Sequence, residues 1–310
     1  MYDRDFSPQN GWPRRACPAC GGSSSKKVFQ KEGVYFDRCG TCATVFVNPE
    51  PPPSLLEDLY AHYGDAYFTQ PQKLAIDYAP DHYRREVEMI PAAKRNGSIL
   101  DVGCSTGSFL RLAGVIGFGE RRGIDISQKS VLQANVICGE GAAIAGDFLA
   151  QPFAPETFDV VTMWATLEHV AEPRKFLEES YRVLKPRGTL LVSVPNKNSL
   201  NFRMLGRKWD MVSLEHLNYY TGKSLALLLT SCGFRVCEAK TVAFNPLRCF
   251  RDLFRSSNRQ PEISDQIRVS ELSGRIRRAP FVARAGAALD RLLSATGLGD
   301  LLMVASVVSK

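Results

Sequence analysis

The sequence lacks any hydrophobic segment long enough to cross a membrane. The longest apolar run near its C-terminus, LLMVASVV (301–308), is far shorter than the roughly 20 residues that a membrane-spanning helix needs. The opening residues, MYDRDFSPQNGWPRR, contain no apolar core of the kind found in secretory signals. Internal repeats and low-complexity tracts are absent as well. These absences favour a cytoplasmic protein, and a hydrophobic content of 45% allows it a sizeable folded core.

The surplus of positive charge is modest and unevenly placed. A net charge of +7 over 310 residues is compatible with an anionic partner, but such a surplus usually lies on a solvated surface. Nine arginines and only four acidic residues lie between Arg248 and Arg284, so +5 falls in that stretch. Three interpretations stay open: a solvated lid, a site for an anionic substrate such as a nucleotide-sugar or phosphorylated carrier, and a peripheral membrane contact by PFVARAGAALDRLLSATG (280–297).

Four of the nine cysteines follow the pattern C-x2-C-x18-C-x2-C, and these are Cys17, Cys20, Cys39 and Cys42. Thiolates at this spacing form two knuckles that close a tetrahedron around zinc. Because cysteine fills all four positions, no coordination site stays open for catalysis. We therefore expect a structural zinc ribbon in residues 1–50 that serves folding and recognition, with free thiols or disulfides as the alternative. The remaining cysteines are expected to be small buried apolar residues.

Short apolar strands alternate with helices from residue 98 onward. SILDVG, RRGIDI, FDVVTMW and TLLVSVP are typical strands, and GSFLRLAGVI, PRKFLEESYRVLKPRG and GKSLALLLTSCG are typical helices. Such alternation predicts a parallel sheet covered by helices on both faces. A helical insertion at about 246–298 precedes the last strand, DLLMVASVVSK. The predicted domains are an N-terminal module (1–50), a linker with N-terminal helices (51–97) and an α/β domain (98–310).

The segment GCSTG (103–107) fits two different kinds of site. One is G-x-S-x-G, the nucleophile elbow of a serine hydrolase, with Ser105 as the nucleophile; the other is a glycine-rich turn that lets a nucleotide approach the backbone. A hydrolase elbow comes late in its sheet and needs an HGGG-type companion loop, whereas this turn follows the first strand and no such loop is present. His169 and His216 follow Ser105 in a tolerable order, so the hydrolase alternative stays open, but the nucleotide turn is favoured.

An acidic residue, Asp125, ends the second strand in GIDIS, 24 residues after Asp101. A carboxylate there can accept hydrogen bonds from both hydroxyls of a ribose laid across the strand ends, where open α/β sheets bind ligands. An acidic residue at a helix N-terminus is the alternative. In the preceding turn, Ser105 replaces the middle glycine of G-x-G-x-G. The turn and Asp125 together favour a ligand that contains a ribose.

The ordered segments ILDVGCSTGSFL, GIDIS, GDF, FDVVTMWATLEHV and LKPRGTLLVSVPN resemble the class I S-adenosylmethionine-dependent methyltransferases over about residues 85–245. NFRMLGRKWDMVSLEHLNYYTGKSLALLLTSCGF and the cysteine-rich N-terminus that ends in FVNPEP resemble a bacterial branch of that superfamily. The resemblance implies a methyltransferase with a Rossmann-like α/β fold, a seven-strand sheet of order 3-2-1-4-5-7-6, and FRVCEAKTVA and DLLMVASVVSK as its final antiparallel pair. Two departures are Ser105, where the family has glycine, and Ala165, where relatives often have a bulkier polar residue.

The resemblance also implies the cofactor S-adenosylmethionine and the residues that hold it. The methionine end is assigned to the first turn, with Asp101, Gly103, Ser105 and Gly107. The ribose and adenine are assigned to Asp125 and Ile126, the adenine edge to Asp147 and Phe148, and the side of the cofactor to Trp164.

Methyl transfer from a sulfonium depends mostly on positioning, and a hydroxyl acceptor also needs a base for its proton. His169 follows the fourth strand, next to Glu168, and His216 lies in the loop SLEHLNYYT, on the opposite side of the expected acceptor. Histidine has the unperturbed pKa nearest neutrality. For Glu168, His169 and His216 alike, a catalytic contact and a purely structural role stay open. Trp209, Tyr219 and Tyr220 are candidates for the pocket walls, with core packing as the alternative. Tyr60, Tyr63 and Tyr67 are candidates for a lid, with helix packing as the alternative.

The predicted function is methyl transfer to an oxygen or carbon of a small molecule, such as a sugar, a carrier-linked saccharide or a secondary metabolite. The alternative is an RNA methyltransferase whose zinc ribbon grips nucleic acid, which the basic charge fits. Against it, the ribbon segment GGSSSKKVFQKEGVYFDR has only a modest lysine cluster, and no N-P-P-[YF] motif follows the fourth strand. The intact cofactor motifs argue against a third candidate, a non-catalytic scaffold. No oligomeric state is predicted.

Overall fold

Two β-sheets organise the part of the chain that the structure describes. The computed structural model describes residues 11–59, 71–79, 82–255, 263–277 and 280–310. In chain order its strands are β1 (Ser25–Lys31), β2 (Val34–Cys39), β3 (Val45–Val47), β4 (Ser98–Val102), β5 (Glu120–Asp125), β6 (Ala143–Ala145), β7 (Phe158–Trp164), β8 (Leu184–Pro195), β9 (Asn218–Tyr219), β10 (Phe234–Val242) and β11 (Leu301–Val308).

The larger sheet has seven strands in the order β10-β11-β8-β7-β4-β5-β6. Its pairs from β8 to β6 are parallel, and β11 runs antiparallel to both of its neighbours. When the strands of this sheet are counted from one to seven along the chain, the order is 3-2-1-4-5-7-6. The predicted α/β fold, the strand order and the final antiparallel pair are therefore confirmed.

Both faces of the larger sheet are buried. On β4 and β7, Ile99 and Val160 belong to one apolar core, whereas their neighbours Leu100 and Val161 belong to the other. Strands with apolar side chains on both faces require helices on both sides. The helices are α1 (Pro53–Leu59), α2 (Pro71–Asp77), α3 (Arg84–Met89), α4 (Ser108–Val115), α5 (Gln128–Cys138), α6 (Pro173–Val183), α7 (Leu200–Leu205), α8 (Gly222–Ser231), α9 (Pro246–Phe254), α10 (Ile263–Arg277) and α11 (Pro280–Thr296).

Helix α6 ends earlier than its sequence suggests. The pattern PRKFLEESYRVLKPRG predicts a helix that reaches Pro186, but the helix ends at Val183 and β8 begins at Leu184. Proline has no backbone N–H, and it forces the residue before it, Lys185, into an extended conformation. The chain therefore leaves the helix before the proline, and the predicted boundary is wrong by about one turn.

The smaller sheet joins the cysteine-containing segment to a distant part of the chain. Its strand order is β1-β2-β3-β9, so a strand of residues 218–219 completes a sheet that begins at residue 25. The Arg15 guanidinium donates to the carbonyl oxygens of Val47, Ala171 and Leu217 at 3.0–3.1 Å. The N-terminal segment is thus hydrogen-bonded directly to the loops that follow β7 and α7.

The predicted insertion before the last strand consists of α9, α10 and α11. Helix α11 lies against β10, where the Thr241 hydroxyl donates to the carbonyl oxygen of the buried residue Leu293 at 2.9 Å. Within the described ranges, no helix is both long and apolar enough to cross a membrane.

Candidate active site

A cavity of about 1360 Å³ opens at the carboxyl ends of β4, β5 and β7. It exceeds the roughly 300–1,000 Å³ that is usual for one small ligand, so it has room for two. Nine of the predicted cofactor and catalytic residues line it: Gly103, Ser105, Asp125, Ile126, Asp147, Phe148, Trp164, His169 and His216. The other three, Asp101, Gly107 and Glu168, lie behind its wall.

The turn after β4 needs glycine at its two ends. Gly103 has φ +78°, and a Cβ there would lie 2.4 Å from the Thr166 hydroxyl oxygen. Gly107 has φ +80°, and a Cβ there would lie 2.8 Å from the Ala134 methyl carbon. Ser105 is also left-handed, with φ +48°. The left-handed conformation and the close contacts with Thr166 and Ala134 therefore explain both glycines, and Gly103 and Ser105 line the cavity.

Ser105 does not belong to a hydrolase triad. Its Oγ is buried, and it has no hydrogen-bond partner within the described part of the chain, whereas a nucleophilic serine bonds to its histidine. Ser105 instead acts through its backbone, because its N–H donates to Asp125 Oδ2 at 2.8 Å. The glycine-turn interpretation is thus the one that the geometry favours.

Asp125 ties the turn to the start of the next helix. Besides the Ser105 N–H, its carboxylate accepts the Ser127 N–H at 2.9 Å through Oδ1. Ser127 in turn caps α5 by accepting the Ser130 N–H at 3.1 Å. Asp125 is half-buried and lines the cavity at the end of β5. Its place at the strand ends is the one expected for a ribose-binding carboxylate.

Asp101 supports the turn from below. Its side chain is buried in β4, and Oδ1 accepts a hydrogen bond from the Thr162 hydroxyl at 2.6 Å. Burial raises the pKa of this carboxyl to about 7. Because the side chain is buried in this way, it does not offer the predicted direct contact with the methionine end of the cofactor.

Two apolar side chains and an indole complete the cofactor side of the cavity. Ile126 is exposed after β5 and lines the cavity, as does Phe148, which lies in a short 3-10 turn capped by Asp147. Trp164 ends β7 and packs edge-on against Phe109, with ring centroids 5.3 Å apart. Its Nε1 is buried without a hydrogen-bond partner among the described residues, so it is a polar group that a ligand in the cavity could satisfy.

Helices α2 and α3 contribute residues that the sequence analysis missed. The Tyr78 hydroxyl donates to the carbonyl oxygen of Thr106, which fastens this segment to the glycine turn. Asp77 is buried, forms an ion pair with Lys73 and lies 3.5 Å from His82 Nε2, and all three line the cavity. No motif marks an aspartate five residues before a histidine. The proposed lid residues Tyr60, Tyr63 and Tyr67 lie outside the described residues.

His169 and His216 meet at the other side of the cavity. Their ring centroids are 4.5 Å apart, with the rings nearly perpendicular. His169 Nδ1 lies 3.1 Å from the carbonyl oxygen of Glu215, and His216 Nδ1 lies 2.7 Å from that of Met211. A carbonyl oxygen only accepts, so each Nδ1 carries a hydrogen and each neutral ring has its basic lone pair on Nε2.

Burial keeps this histidine pair uncharged. Burial, together with the neighbouring ring of His216, lowers the pKa of His169 well below its ordinary value. Burial also lowers the pKa of His216 to about 4. Glu168 is fully buried behind the pair, and burial raises its pKa to about 8. Both of its oxygens lack a hydrogen-bond partner among the residues that the structure describes, and one lies within 4.8 Å of a ring nitrogen of each histidine.

The loop that carries His216 is fixed from two sides. From the insertion, the Arg251 guanidinium bonds to Asp210 at 2.7 Å and to Asp252 at 2.8 Å. From the N-terminal sheet, the buried Lys31 ammonium donates to the carbonyl oxygens of Trp209 and Val212. Trp209, one of the predicted pocket walls, lines the cavity. The position of His216 therefore depends on segments far apart in the chain.

The four cysteines lie together in the N-terminal segment that contributes β1, β2 and β3. The Sγ atoms of Cys17 and Cys42 are 3.5 Å apart, those of Cys20 and Cys39 are 3.6 Å apart, and all four lie within 4.8 Å of one another. These contacts are far longer than a disulfide bond of about 2.05 Å. Four sulfurs each about 2.3 Å from a central zinc would be about 3.8 Å apart, so the donor set fits that ion.

A family profile described as a methyltransferase domain matches residues 76–239, more than half of the chain. The chain belongs to this family and is an S-adenosylmethionine-dependent methyltransferase. It is 30% identical over 188 residues to a ubiquinone biosynthesis O-methyltransferase of Cereibacter sphaeroides, covering 56% of this chain and 75% of that one. It is 28% identical over 205 residues to a demethylmenaquinone methyltransferase of Tropheryma whipplei, covering 58% and 84%.

Solved structures share the fold at low sequence identity. An S-adenosylmethionine-dependent methyltransferase from Thermotoga maritima superposes with a TM-score of 0.52 at 17% identity, covering 82% of this chain and 99% of that one. One from Mesorhizobium loti superposes with a TM-score of 0.51 at 18% identity, covering 75% and 99%. These similarities confirm the methyltransferase fold.

Proposed function

We propose that this methyltransferase acts on an oxygen or carbon of a small acceptor, such as a sugar, a carrier-linked saccharide or a secondary metabolite. The observation that carries the proposal is the pair of uncharged histidines, His169 and His216, in the wall of a cavity that has room for two ligands. The named relatives also fit a small acceptor, because one is a ubiquinone biosynthesis O-methyltransferase and the other a demethylmenaquinone methyltransferase.

The strand-end wall is suited to hold S-adenosylmethionine. When bound, this cofactor supplies an electrophilic methyl group on a positively charged sulfur. The turn with Gly103 and Ser105, which lines the cavity, would hold its methionine end, and Asp125 would accept from its ribose hydroxyls. Ile126 and Phe148 would enclose its adenine. Ser105 Oγ is buried and has no hydrogen-bond partner within the described ranges, which supports a polar ligand atom at this wall.

The histidine wall is suited to take up a proton. With hydrogen fixed on each Nδ1, the Nε2 lone pair of His169 or His216 accepts the proton that an acceptor hydroxyl or acidic C–H loses when it is methylated. Two protonated rings in contact would repel each other, so the pair takes one proton at a time. Glu168 lies directly behind the pair and, because burial keeps its proton in place, leaves no negative charge beside the rings.

Methyl-labelled cofactor incubated with a fractionated extract of the source cell tests this proposal. Label in the small-molecule or saccharide-carrier fractions with the wild type, and none with Asp125→Ala, is the expected result. Label in RNA would replace the proposal by the alternative of an RNA methyltransferase. Label in no fraction would contradict an acceptor of either class.

We also propose that Cys17, Cys20, Cys39 and Cys42 hold one structural zinc ion. The Thr41 N–H donates to Cys39 Sγ at 3.4 Å, which is the kind of contact that stabilises a thiolate. Elemental analysis of freshly purified protein should give about one zinc per chain. Less than about half an equivalent, or unchanged zinc in Cys17→Ser/Cys42→Ser, would contradict the assignment.

A further inference from the structure

The helical insertion carries many of the exposed apolar side chains of the molecule. Among the described residues, fifteen large apolar side chains are well exposed, and eight of them lie on α9, α10 and α11. These eight are Phe250, Leu253, Phe254, Leu272, Ile276, Phe281, Leu289 and Leu292. Concentrated apolar exposure of this kind marks an interaction surface rather than ordinary solvent exposure.

Helix α11 separates a fixed side from an exposed side. Its buried residue Leu293 lies against β10. Phe281 and Leu292 are spaced i and i+11 and so share another face, on which Phe281 is 83% and Leu292 is 60% exposed, whereas Leu289, one turn before Leu293, lies at its border with the anchored side. That face is therefore available to a partner while the helix stays anchored to the sheet.

Helix α9 repeats this arrangement with aromatic residues. Phe250 and Phe254, one turn apart, are 65% and 70% exposed, with ring centroids 4.6 Å apart. The opposite side is fixed by the buried Asp252 and its ion pair with Arg251. Two large exposed rings on a rigid helix are costly in water, and they suit insertion at the boundary between lipid headgroups and acyl chains.

The charge of the insertion complements an anionic surface. Residues 246–298 contain ten arginines, no lysine and five acidic residues. On α11, the exposed Arg284 and Arg291 are two turns apart and flank the apolar face, and on α10 the exposed Arg268 precedes Leu272 by one turn. Basic residues beside an exposed apolar stripe are the signature of a helix that lies on an anionic bilayer.

We propose that α9, α10 and α11 dock the enzyme on the surface of a bilayer that contains anionic phospholipids. The same helices form part of the cavity wall, through Asn245 at the start of α9 and Ser273 on α10, whose side chains are joined by a hydrogen bond of 2.9 Å. Membrane contact would thus bring the cavity close to the lipid surface. This proposal does not depend on which acceptor is methylated.

Vesicle co-sedimentation with the full chain tests the docking surface. Phosphatidylcholine vesicles with and without phosphatidylglycerol are the probes, and no methyl acceptor is added. Wild type should bind the anionic vesicles at least about tenfold more tightly than the neutral ones. Phe250→Ser/Phe254→Ser/Phe281→Ser should lose at least about tenfold of that binding. The matched control, Val115→Ser/Val136→Ser, removes side chains that are 74% and 80% exposed on α4 and α5, and it should bind like wild type.

A charge variant keeps the test independent of the aromatic residues. Arg284→Gln/Arg291→Gln should weaken binding to anionic vesicles by about fivefold for each arginine removed, with no change on neutral vesicles. An unchanged midpoint of thermal unfolding and an unchanged affinity for S-adenosylhomocysteine serve as controls that each variant is folded. The proposal would be overturned if the wild type bound neither kind of vesicle. It would also be overturned if the apolar and the charge variants both bound like the wild type. A dimer that the apolar variant dissociates, without vesicle binding by wild type, would assign the surface to a second copy instead.

Discussion

The two walls of the cavity are assembled in different ways. The cofactor wall comes from consecutive strand ends between residues 98 and 164, where parallel strands bring their carboxyl ends to one edge of the sheet. The acceptor wall combines the loop after β7, the loop after α7, helices α2 and α3, and the insertion. A wall made from one sheet edge follows from topology, whereas a wall made from four separate segments depends on how those segments pack.

His216→Gln should give the largest difference between an effect on catalysis and an effect on cofactor binding. The variant keeps a polar side chain but cannot take up a proton, so kcat should fall by about 10²–10⁴-fold if His216 is the ring of the pair that accepts the proton. The dissociation constant of S-adenosylmethionine should stay unchanged, since His216 is not on the cofactor wall. Steady-state kinetics and calorimetry measure the two effects. His82→Gln, in the same cavity, is the matched control and should keep most of kcat. An equal loss of cofactor affinity in His216→Gln would contradict the separation.

Asp125→Ala should produce the reverse result. It removes the proposed ribose contacts and the acceptor of the Ser105 and Ser127 N–H groups, so cofactor affinity should fall by about 10–100-fold in calorimetry. The control is Asp159→Ala at the opposite edge of the sheet, where the carboxylate accepts the Ser98 N–H at 3.0 Å and bonds to Lys185. That variant should lose stability and keep its cofactor affinity. Unchanged affinity in Asp125→Ala would overturn the ribose assignment.

Glu168→Gln should change how stability depends on pH. The folded protein keeps a proton on Glu168 up to about pH 8, whereas the unfolded chain loses it near the ordinary glutamate pKa. The stabilisation from Glu168 is therefore complete at low pH and lost as the pH rises toward 8. Urea titrations measure the free energy of unfolding, which should decline between pH 6.5 and 8. The decline should be smaller in the variant than in the wild type by up to about 2 kcal/mol.

The exposed Glu140→Gln is the matched control for this pH effect and should follow the wild type. Equal declines in wild type and Glu168→Gln would mean that Glu168 does not hold its proton in the folded state. The interpretation that a neutral carboxyl group lies behind the histidine pair would then be wrong.

Ser105→Gly should have the smallest effect. Glycine adopts the left-handed φ of this position without strain, but it also makes the unfolded chain more flexible, so stability should change by less than about 1 kcal/mol. Methyl transfer should persist within about threefold, because the N–H that bonds to Asp125 remains. Complete loss of activity in this variant, with the fold intact by circular dichroism, would revive a nucleophilic role for Ser105.

Local patterns predict the cofactor wall well because each of its features is local. The turn at 103–107 needs glycine wherever the chain must approach Thr166 or Ala134 closely, and the alternation of strands and helices predicts the parallel sheet, whose strand order follows from the family resemblance. The cysteine pairs likewise predict their own cluster, since two knuckles at this spacing can close on one ion.

The acceptor wall could be predicted only in part. The histidines stand out by residue type, but their contact at 4.5 Å depends on Lys31, Arg251 and Asp252, which hold the loop after α7 from outside. A two-residue strand such as β9 and the half-buried side chain of Arg15 have no periodic signal. The position of Asp77 and His82 at the cavity could not be predicted for the same reason, since only the packing of α2 and α3 brings them there.

Calorimetric titration of S-adenosylhomocysteine into His169→Gln/His216→Gln, combined with a methyl-transfer assay on the same sample, tests the division between the two walls most directly. We expect affinity within about twofold of the wild type together with transfer reduced by at least about 10²-fold. Loss of S-adenosylhomocysteine binding would place the histidines in the cofactor site, and transfer at the wild-type rate would remove them from the chemistry.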